Sequence, residues 1–372
     1  MKFFVEKAAL SYELTRELTQ KFDFTVIENY EDFDWGIKDF SDKVSEGKKI
    51  IFLLRFKGRF FRKCPGTQIY FCCGYKIFHF AEGCPFDCSY CILQGYFNRP
   101  GIKLWANVIE DGFEELKRVL REAKTQGKVL RIGTGEFADS MALEGICNIS
   151  EKLVHLWKEE DPFAVLELKT KAAISEDYFK KLPSDPRVIF SWSLNPEEII
   201  EKEERFTAPL EARLKSAELA VKYGFSVAFH FDPMIYYSQA LTDYPEVLRE
   251  LLKRFPLDSI AWISFGTLRY PPDLKEVAEK RFPETKIYSY EFVKGLDGKK
   301  RYFIHLRNRL YKEMYKVIKD FSGLVYYFCM EGERSWAEAF RKPITSSREV
   351  AMLLDASAKR LCTKAGIRYI PS

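Results

Sequence analysis

The run Tyr75-Lys-Ile-Phe-His-Phe-Ala-Glu-Gly-Cys-Pro-Phe-Asp-Cys-Ser-Tyr-Cys91 passes from a strand-like segment straight into three closely spaced cysteines. Cys84, Cys88 and Cys91 stand at C-x3-C-x2-C spacing, which puts three thiolates on one short loop. That donor set suits three irons of a cubane [4Fe–4S] cluster and leaves the fourth iron without a protein ligand. An electron-transfer site would supply a fourth Cys, so an open iron implies a ligand that takes part in chemistry. Zinc is the natural rival. It usually wants four ligands, with a second Cys or His pair after the first, and none follows in a chain with four His.

Working outward, apolar runs and helical patterns alternate. After the strand at 75–80 come a helix at 111–125, a strand at 129–132, a helix at 142–157 and a strand at 164–168. A short helix at 175–182, strand 188–192, helix 208–222, strand 225–231, helix 244–254 and strand 259–264 complete the series. About six such units between 74 and 270 predict parallel βαβ packing, an α/β partial (β/α)6 TIM-like barrel rather than a doubly wound sheet. The expected organisation is an N-terminal extension over 1–70, the barrel with its Cys loop over 71–270, and a C-terminal extension over 271–372.

Both parallel architectures place chemistry at the carboxyl ends of the strands, and candidate residues fall there. The second strand ends in Gly133-Thr-Gly135-Glu136, where two glycines let backbone approach a ligand and the carboxylate can receive an ammonium. The same Gly-x-Gly reads equally as a tight βα turn. Lys171 follows the third strand and Ser193 ends the fourth, a cation and a hydroxyl suited to a carboxylate. His230 and Asp232 close the fifth strand as a candidate acid–base pair. Cys64, Cys72 and Cys73 read as reduced structural thiols, and Cys329 as a core residue of a strand at 324–328.

Composition narrows the class. A chain of 372 residues with 47% hydrophobic residues can bury a large core. No stretch reaches the ~18 apolar residues of a membrane span, and no signal-peptide pattern opens the chain. A cytoplasmic protein is the expectation, since nine cysteines are too uneven for a disulfide scaffold and an iron–sulfur cluster needs reducing surroundings. A net charge of +5 permits nucleic-acid binding without demanding it.

With Tyr90 just before its last cysteine, the C-x3-C-x2-C run resembles the signature of radical S-adenosylmethionine enzymes. From about 60 to 340 the chain resembles the spore photoproduct lyase family in particular. The matching stretches include Cys72-Cys-Gly-Tyr75, Gly83–Gln94, Thr170-Lys171, Ser191-Trp-Ser-Leu-Asn-Pro196, Ala208-Pro-Leu-Glu-Ala-Arg213, Gly266-Thr-Leu-Arg-Tyr270 and Phe328-Cys-Met-Glu331. The resemblance implies a [4Fe–4S] cluster on Cys84, Cys88 and Cys91, with S-adenosylmethionine chelating the open iron. It implies that Lys171 and Ser193 hold the cofactor's carboxylate, that Gly133, Gly135 and Glu136 receive its amine, and that Tyr90 lies against it. Reductive cleavage then yields a 5′-deoxyadenosyl radical that abstracts hydrogen from substrate, a thymine photoproduct of DNA in the founding activity. The electron would come from a flavodoxin or ferredoxin. A hairpin turning at Asp297-Gly298, between 288–293 and 301–304, offers Lys299, Lys300, Arg301 and Tyr302 to nucleic acid.

Two departures bear on the reaction. The family carries a hydrogen-donating Cys in the loop after the second strand, and Gly135-Glu-Phe-Ala-Asp-Ser140 has none. A Tyr expected after the last cluster Cys is Ile92. Poor repair of the spore photoproduct is therefore expected, with Cys147 the first substitute donor to consider. A radical enzyme on protein, RNA or a small molecule is the alternative, and a non-catalytic iron–sulfur module is a third reading. The strand-end Gly-x-Gly-Glu, Lys and Ser speak against that third reading.

Overall fold

The computed structural model describes residues 1–67 and 69–367. Numbering only the barrel strands, these are β1 (Lys76–Phe78), β2 (Leu130–Gly133), β3 (Ala164–Thr170), β4 (Val188–Ser193), β5 (Ser226–Met234), β6 (Ile260–Thr267) and β7 (Tyr326–Phe328). They pair in chain order, every pair parallel. All six expected strands are present, and β7 adds a seventh parallel one. Strands β4 and β6 are buried along their whole length, as strands covered on both faces must be. That is why they read as unbroken apolar runs rather than as alternating ones.

Helices cover the outer face. Gly112–Thr125, Leu210–Lys222 and Ala240–Arg254 match the helical periodicities closely. The expected helix at 142–157 is instead two, Glu144–Cys147 and Ile149–Glu160, broken where Asn148 takes a left-handed conformation at φ 49°. The periodicity continues across the break, so the pattern alone does not reveal it.

Residues 64–67 and 69–75 bridge the ends of the partial barrel at β7 and β1, with the Phe71 N–H donating to Glu331 O at 3.1 Å and Cys64 N–H to Tyr75 O at 3.1 Å. The long helix Ser347–Lys364 packs against β2, β3 and β6. Its Asp355 pairs with Arg131 of β2 at 2.7 Å, and its Ser357 donates to Ala261 O of β6 at 2.7 Å.

The N-terminal residues build a second sheet. Strands Phe24–Ile27, Lys2–Glu6, Ile50–Leu54 and Ile102–Trp105 run parallel, and Ala81–Glu82 completes the sheet antiparallel. Because its last two strands flank the cysteine loop in sequence, this sheet braces that loop from outside. Among the described residues no helix is long and apolar enough to cross a membrane.

Candidate active site

The cysteine loop is tied down at several points. Lys48 Nζ donates to Cys84 O at 2.9 Å and to Phe86 O at 2.6 Å, and Arg281 grips Asp87 at 2.7 Å. Asp87–Cys88 pairs antiparallel with Glu204–Arg205. Burial, with Asp139 nearby, pushes the Cys84 thiol up to about 12, and burial with Glu204 also raises Cys88. A bound metal reverses that order by deprotonating its thiols outright. Among the described residues no His, Cys, Asp or Glu set is already caged at metal-ligating geometry. The loop nevertheless brings the three sulfurs within electrostatic reach, since Cys91 acts on both Cys84 and Cys88, and three soft donors of one loop fit an iron–sulfur cluster.

Tyr90 links this loop to the barrel. Its hydroxyl donates to Glu204 and accepts from Asn195 Nδ2 at 3.2 Å. Arg213 Nη2 in turn holds Glu204 at 2.6 Å, while its Nη1 donates to Ser193 O at 2.8 Å. Neither Arg213 nor Glu204 exposes any side chain to solvent. The stretches at 191–196 and 208–213 thus act together, fixing the carboxylate that fixes Tyr90.

A cavity of about 340 Å³ opens at the carboxyl ends of the strands, and Tyr90, Cys91, Gly135, Glu136, Lys171 and Ser193 all line it. Lys171 Nζ sits 5.7 Å from the Tyr90 ring centroid, a cation over an aromatic face. Glu136 is engaged by Lys169 Nζ at 3.1 Å. The two glycines have specific neighbours. A Cβ at Gly133 would fall 1.7 Å from the Tyr75 hydroxyl, and one at Gly135 would fall 2.8 Å from Lys169 Cβ. Gly133 therefore makes room for Tyr75 and is not a lining residue, whereas Gly135 reaches the cavity.

Among the cavity's lining residues is a carboxylate that motif reading missed. Glu167 of β3 accepts from Tyr75 (2.5 Å), His230 Nε2 (2.7 Å) and Trp262 Nε1 (3.1 Å), and Ser264 Oγ lies 2.6 Å from His230 Nδ1. Burial alone would raise Glu167, but the His230 charge and these hydrogen bonds outweigh it and hold the group at about 2. The signal was a lone Glu inside the apolar run Ala164-Val-Leu-Glu-Leu168. Asp232 is committed elsewhere, bound bidentately by Arg269 at 2.8 and 3.1 Å, so His230 and Asp232 do not form the expected pair.

The hairpin exists, with Phe292–Lys294 antiparallel to Lys300–Tyr302 and Arg269–Tyr270 joined on its far side. Its residues divide sharply. Lys299 lines the cavity and Lys300 is half-buried. Arg301 is buried, paired with Asp297 at 2.6 Å and donating to Met330 O at 3.0 Å. Tyr302 is fully buried and stacked on Phe292. Cys329 also differs from its sequence reading: it lies just past β7 and faces the cavity, as do Cys64, Cys72 and Cys73. Cys147 is buried in its short helix, its thiol directed to Leu143 O.

Comparison with known proteins fits this geometry. The family model described as spore photoproduct lyase matches residues 72–319. The chain is 24% identical over 294 residues to the spore photoproduct lyase of Bacillus subtilis (strain 168), covering 76% of this chain and 82% of that one. It is 23% identical over 289 residues to the spore photoproduct lyase of Clostridium acetobutylicum, with the same two coverages of 76% and 82%. A solved spore photoproduct lyase mutant with bound AdoMet and dinucleoside spore photoproduct superposes at TM-score 0.74, with 20% identity, over 88% of this chain and 98% of its own. On the family match, which spans most of the barrel and the cysteine loop, this chain belongs to the spore photoproduct lyase family of radical S-adenosylmethionine enzymes.

Proposed function

We propose that this protein uses a [4Fe–4S] cluster and S-adenosylmethionine to remove a hydrogen atom from a pyrimidine photoproduct in DNA and so begin its reversal. The observation that carries the reading is the cavity itself. Cluster cysteine Cys91, a cation and a hydroxyl stand on one side, while Arg269 and Lys299 stand on the other. Relatives named for this chemistry, and a solved one holding AdoMet with the dinucleoside lesion, support it.

When bound, the cluster and cofactor supply a carbon radical able to abstract hydrogen. The chain's own residues do the rest. Cys84, Cys88 and Cys91 would hold three irons. Lys171 and Ser193 would take the cofactor's carboxylate through charge-assisted bonds, and Gly135 with Glu136 would take its ammonium, in competition with Lys169. Tyr90 keeps the loop seated through Glu204. Opposite, Lys299 is desolvated and pressed by the Arg269 charge, which lowers its pKa and makes an anionic phosphate a favourable partner.

A non-nucleic-acid substrate is the second reading, and the burial of Arg301 and Tyr302 favours it, because half of the hairpin's expected contacts serve the core. Anaerobic reconstitution with ultraviolet-irradiated DNA separates the two. Our reading expects 5′-deoxyadenosine formation to rise with irradiated DNA and lesions to disappear. An equal rate with and without irradiated DNA would favour the second reading.

A further inference from the structure

Four thiols outside the cluster motif meet along the wall where the barrel closes. Cys64, Cys72 and Cys73 come from the segment that bridges β7 and β1, and Cys329 is the first residue after β7. Cys329 is held firmly: its N–H donates to Phe265 O at 2.9 Å, and Arg269 Nη2 donates to its sulfur at 3.3 Å. Asp232, clamped by the same guanidinium, sets its negative charge near the thiol. The Glu136 charge acts on Cys329 and Cys64 alike, so this wall faces the β2 loop, which has no cysteine of its own.

We infer that Cys329 is the hydrogen-atom donor that quenches the substrate-derived carbon radical. The inference rests on the proposed reaction and completes it. In the step, the S–H bond of Cys329 breaks and a substrate C–H bond forms; one hydrogen atom moves and no charge does. The resulting thiyl takes one electron from a one-electron reductant of the flavodoxin or ferredoxin class and one proton from water, which restores the thiol. An S–H bond is weaker than the C–H bond it creates, so the transfer runs downhill.

Position and protonation separate Cys329 from its neighbours. Of the four thiols, Cys329 is the one bonded to Arg269, which lines the cavity with Lys299, so a substrate anion held by Lys299 would lie on the same wall as its sulfur. Burial first, then Asp232, keeps the thiol protonated, as a hydrogen-atom donor must be. Cys72 is the opposite case: the neighbouring Cys73 thiol draws it down to about 6, toward the thiolate, which has no hydrogen atom to give. Cys64 keeps its proton, but among the described residues no partner aims it at the Arg269 side. Cys147 faces away from the cavity.

The test is turnover on irradiated DNA in deuterium oxide, comparing the whole reconstituted enzyme with Cys329→Ser and Cys64→Ala. The Ser variant keeps the side-chain shape, and its O–H bond is too strong to serve; iron content and 5′-deoxyadenosine formation report that it is folded and loaded. Wild type should place one solvent deuterium in each repaired thymine pair. Cys329→Ser should still consume the lesion and form 5′-deoxyadenosine, while repaired thymine falls by about tenfold or more and abortive products appear. Repaired thymine without deuterium, or normal repair by Cys329→Ser, overturns the inference while leaving the substrate reading intact. Loss of repair in Cys64→Ala with normal repair in Cys329→Ser moves the role to Cys64 and equally overturns it. If irradiated DNA stimulates no 5′-deoxyadenosine in wild type, the substrate reading fails and the inference falls with it.

Discussion

The two walls of the cavity are built in different ways. The cofactor side is built from short motifs, each legible by itself. Tyr90 from the cysteine loop, Lys171 after β3, Ser193 and Asn195 at the end of β4, and Glu204 and Arg213 beyond it are joined mostly by a chain of buried hydrogen bonds. The opposite side is assembled across the fold: Phe71 meets Glu331, more than two hundred positions away, and Arg269 meets Cys329. Spacing motifs can announce the first wall because the loop that carries them also carries the chemistry. They cannot announce the second, because only closure of the barrel creates it.

Breaking the cofactor wall at its cysteines should have the largest effect. Cys88→Ala removes a buried donor from a three-thiol set, so anaerobic reconstitution should yield a small fraction of the roughly four irons per chain expected of wild type, with cofactor cleavage abolished. Iron and sulfide analysis with 5′-deoxyadenosine chromatography reads both.

Arg213→Met is next. It strands the Glu204 carboxylate in a site where neither partner is exposed, and breaking such a pair costs about 3–5 kcal/mol. The urea midpoint should fall accordingly, and Tyr90 should lose its fixed partner.

The barrel floor gives a pH signature. The folded Glu167 carboxyl sits at about 2 against an ordinary 4.5, a depressed value. Its contribution to stability is therefore fully present above about pH 4.5 and is lost as pH falls toward 2. Glu167→Gln should flatten stability across that window, measured by urea unfolding at a series of acid pH values.

Lys171→Ala should weaken cofactor binding by about 1–3 kcal/mol, the worth of a charge-assisted bond to a carboxylate, while iron content stays normal. Equilibrium binding to the reconstituted protein decides it.

The smallest effect sharpens the contrast within the distal wall. Lys299→Ala should lower the salt slope of DNA binding by about one unit, as expected for one lost phosphate contact. Arg301→Ala should leave that slope unchanged and lower thermal stability instead, because its guanidinium is bound to Asp297 and Met330 O.

Much of this molecule is legible from its sequence for stated reasons. Strands β2 to β6 are covered on both faces, so their apolar runs announce them, and the cysteine loop follows a strand by simple adjacency. Lys171 and Ser193 reach the cavity because strand ends are where parallel barrels expose side chains. What escapes detection depends on long-range packing. Arg301 reads as a hairpin cation until Asp297, four residues away, and Met330 O enclose it. Tyr302 reads as a stacking aromatic until Phe292 covers it. Gly133 reads as a ligand-facing glycine until Tyr75 fills the space above it. Cys329 reads as core until β7 joins the barrel and turns the next residue toward the cavity. The N-terminal sheet is hidden for a related reason: it borrows strands from either side of the cysteine loop.

The central claim is that Cys84, Cys88 and Cys91 hold a cluster with one iron open to the cavity that Lys171 and Ser193 line. Electron paramagnetic resonance of the reduced, anaerobically reconstituted protein, before and after S-adenosylmethionine is added, tests it most directly. The account predicts a cluster signal that changes shape on addition in wild type and is missing from Cys88→Ala. A signal indifferent to S-adenosylmethionine, or one that persists unchanged in Cys88→Ala, would contradict it.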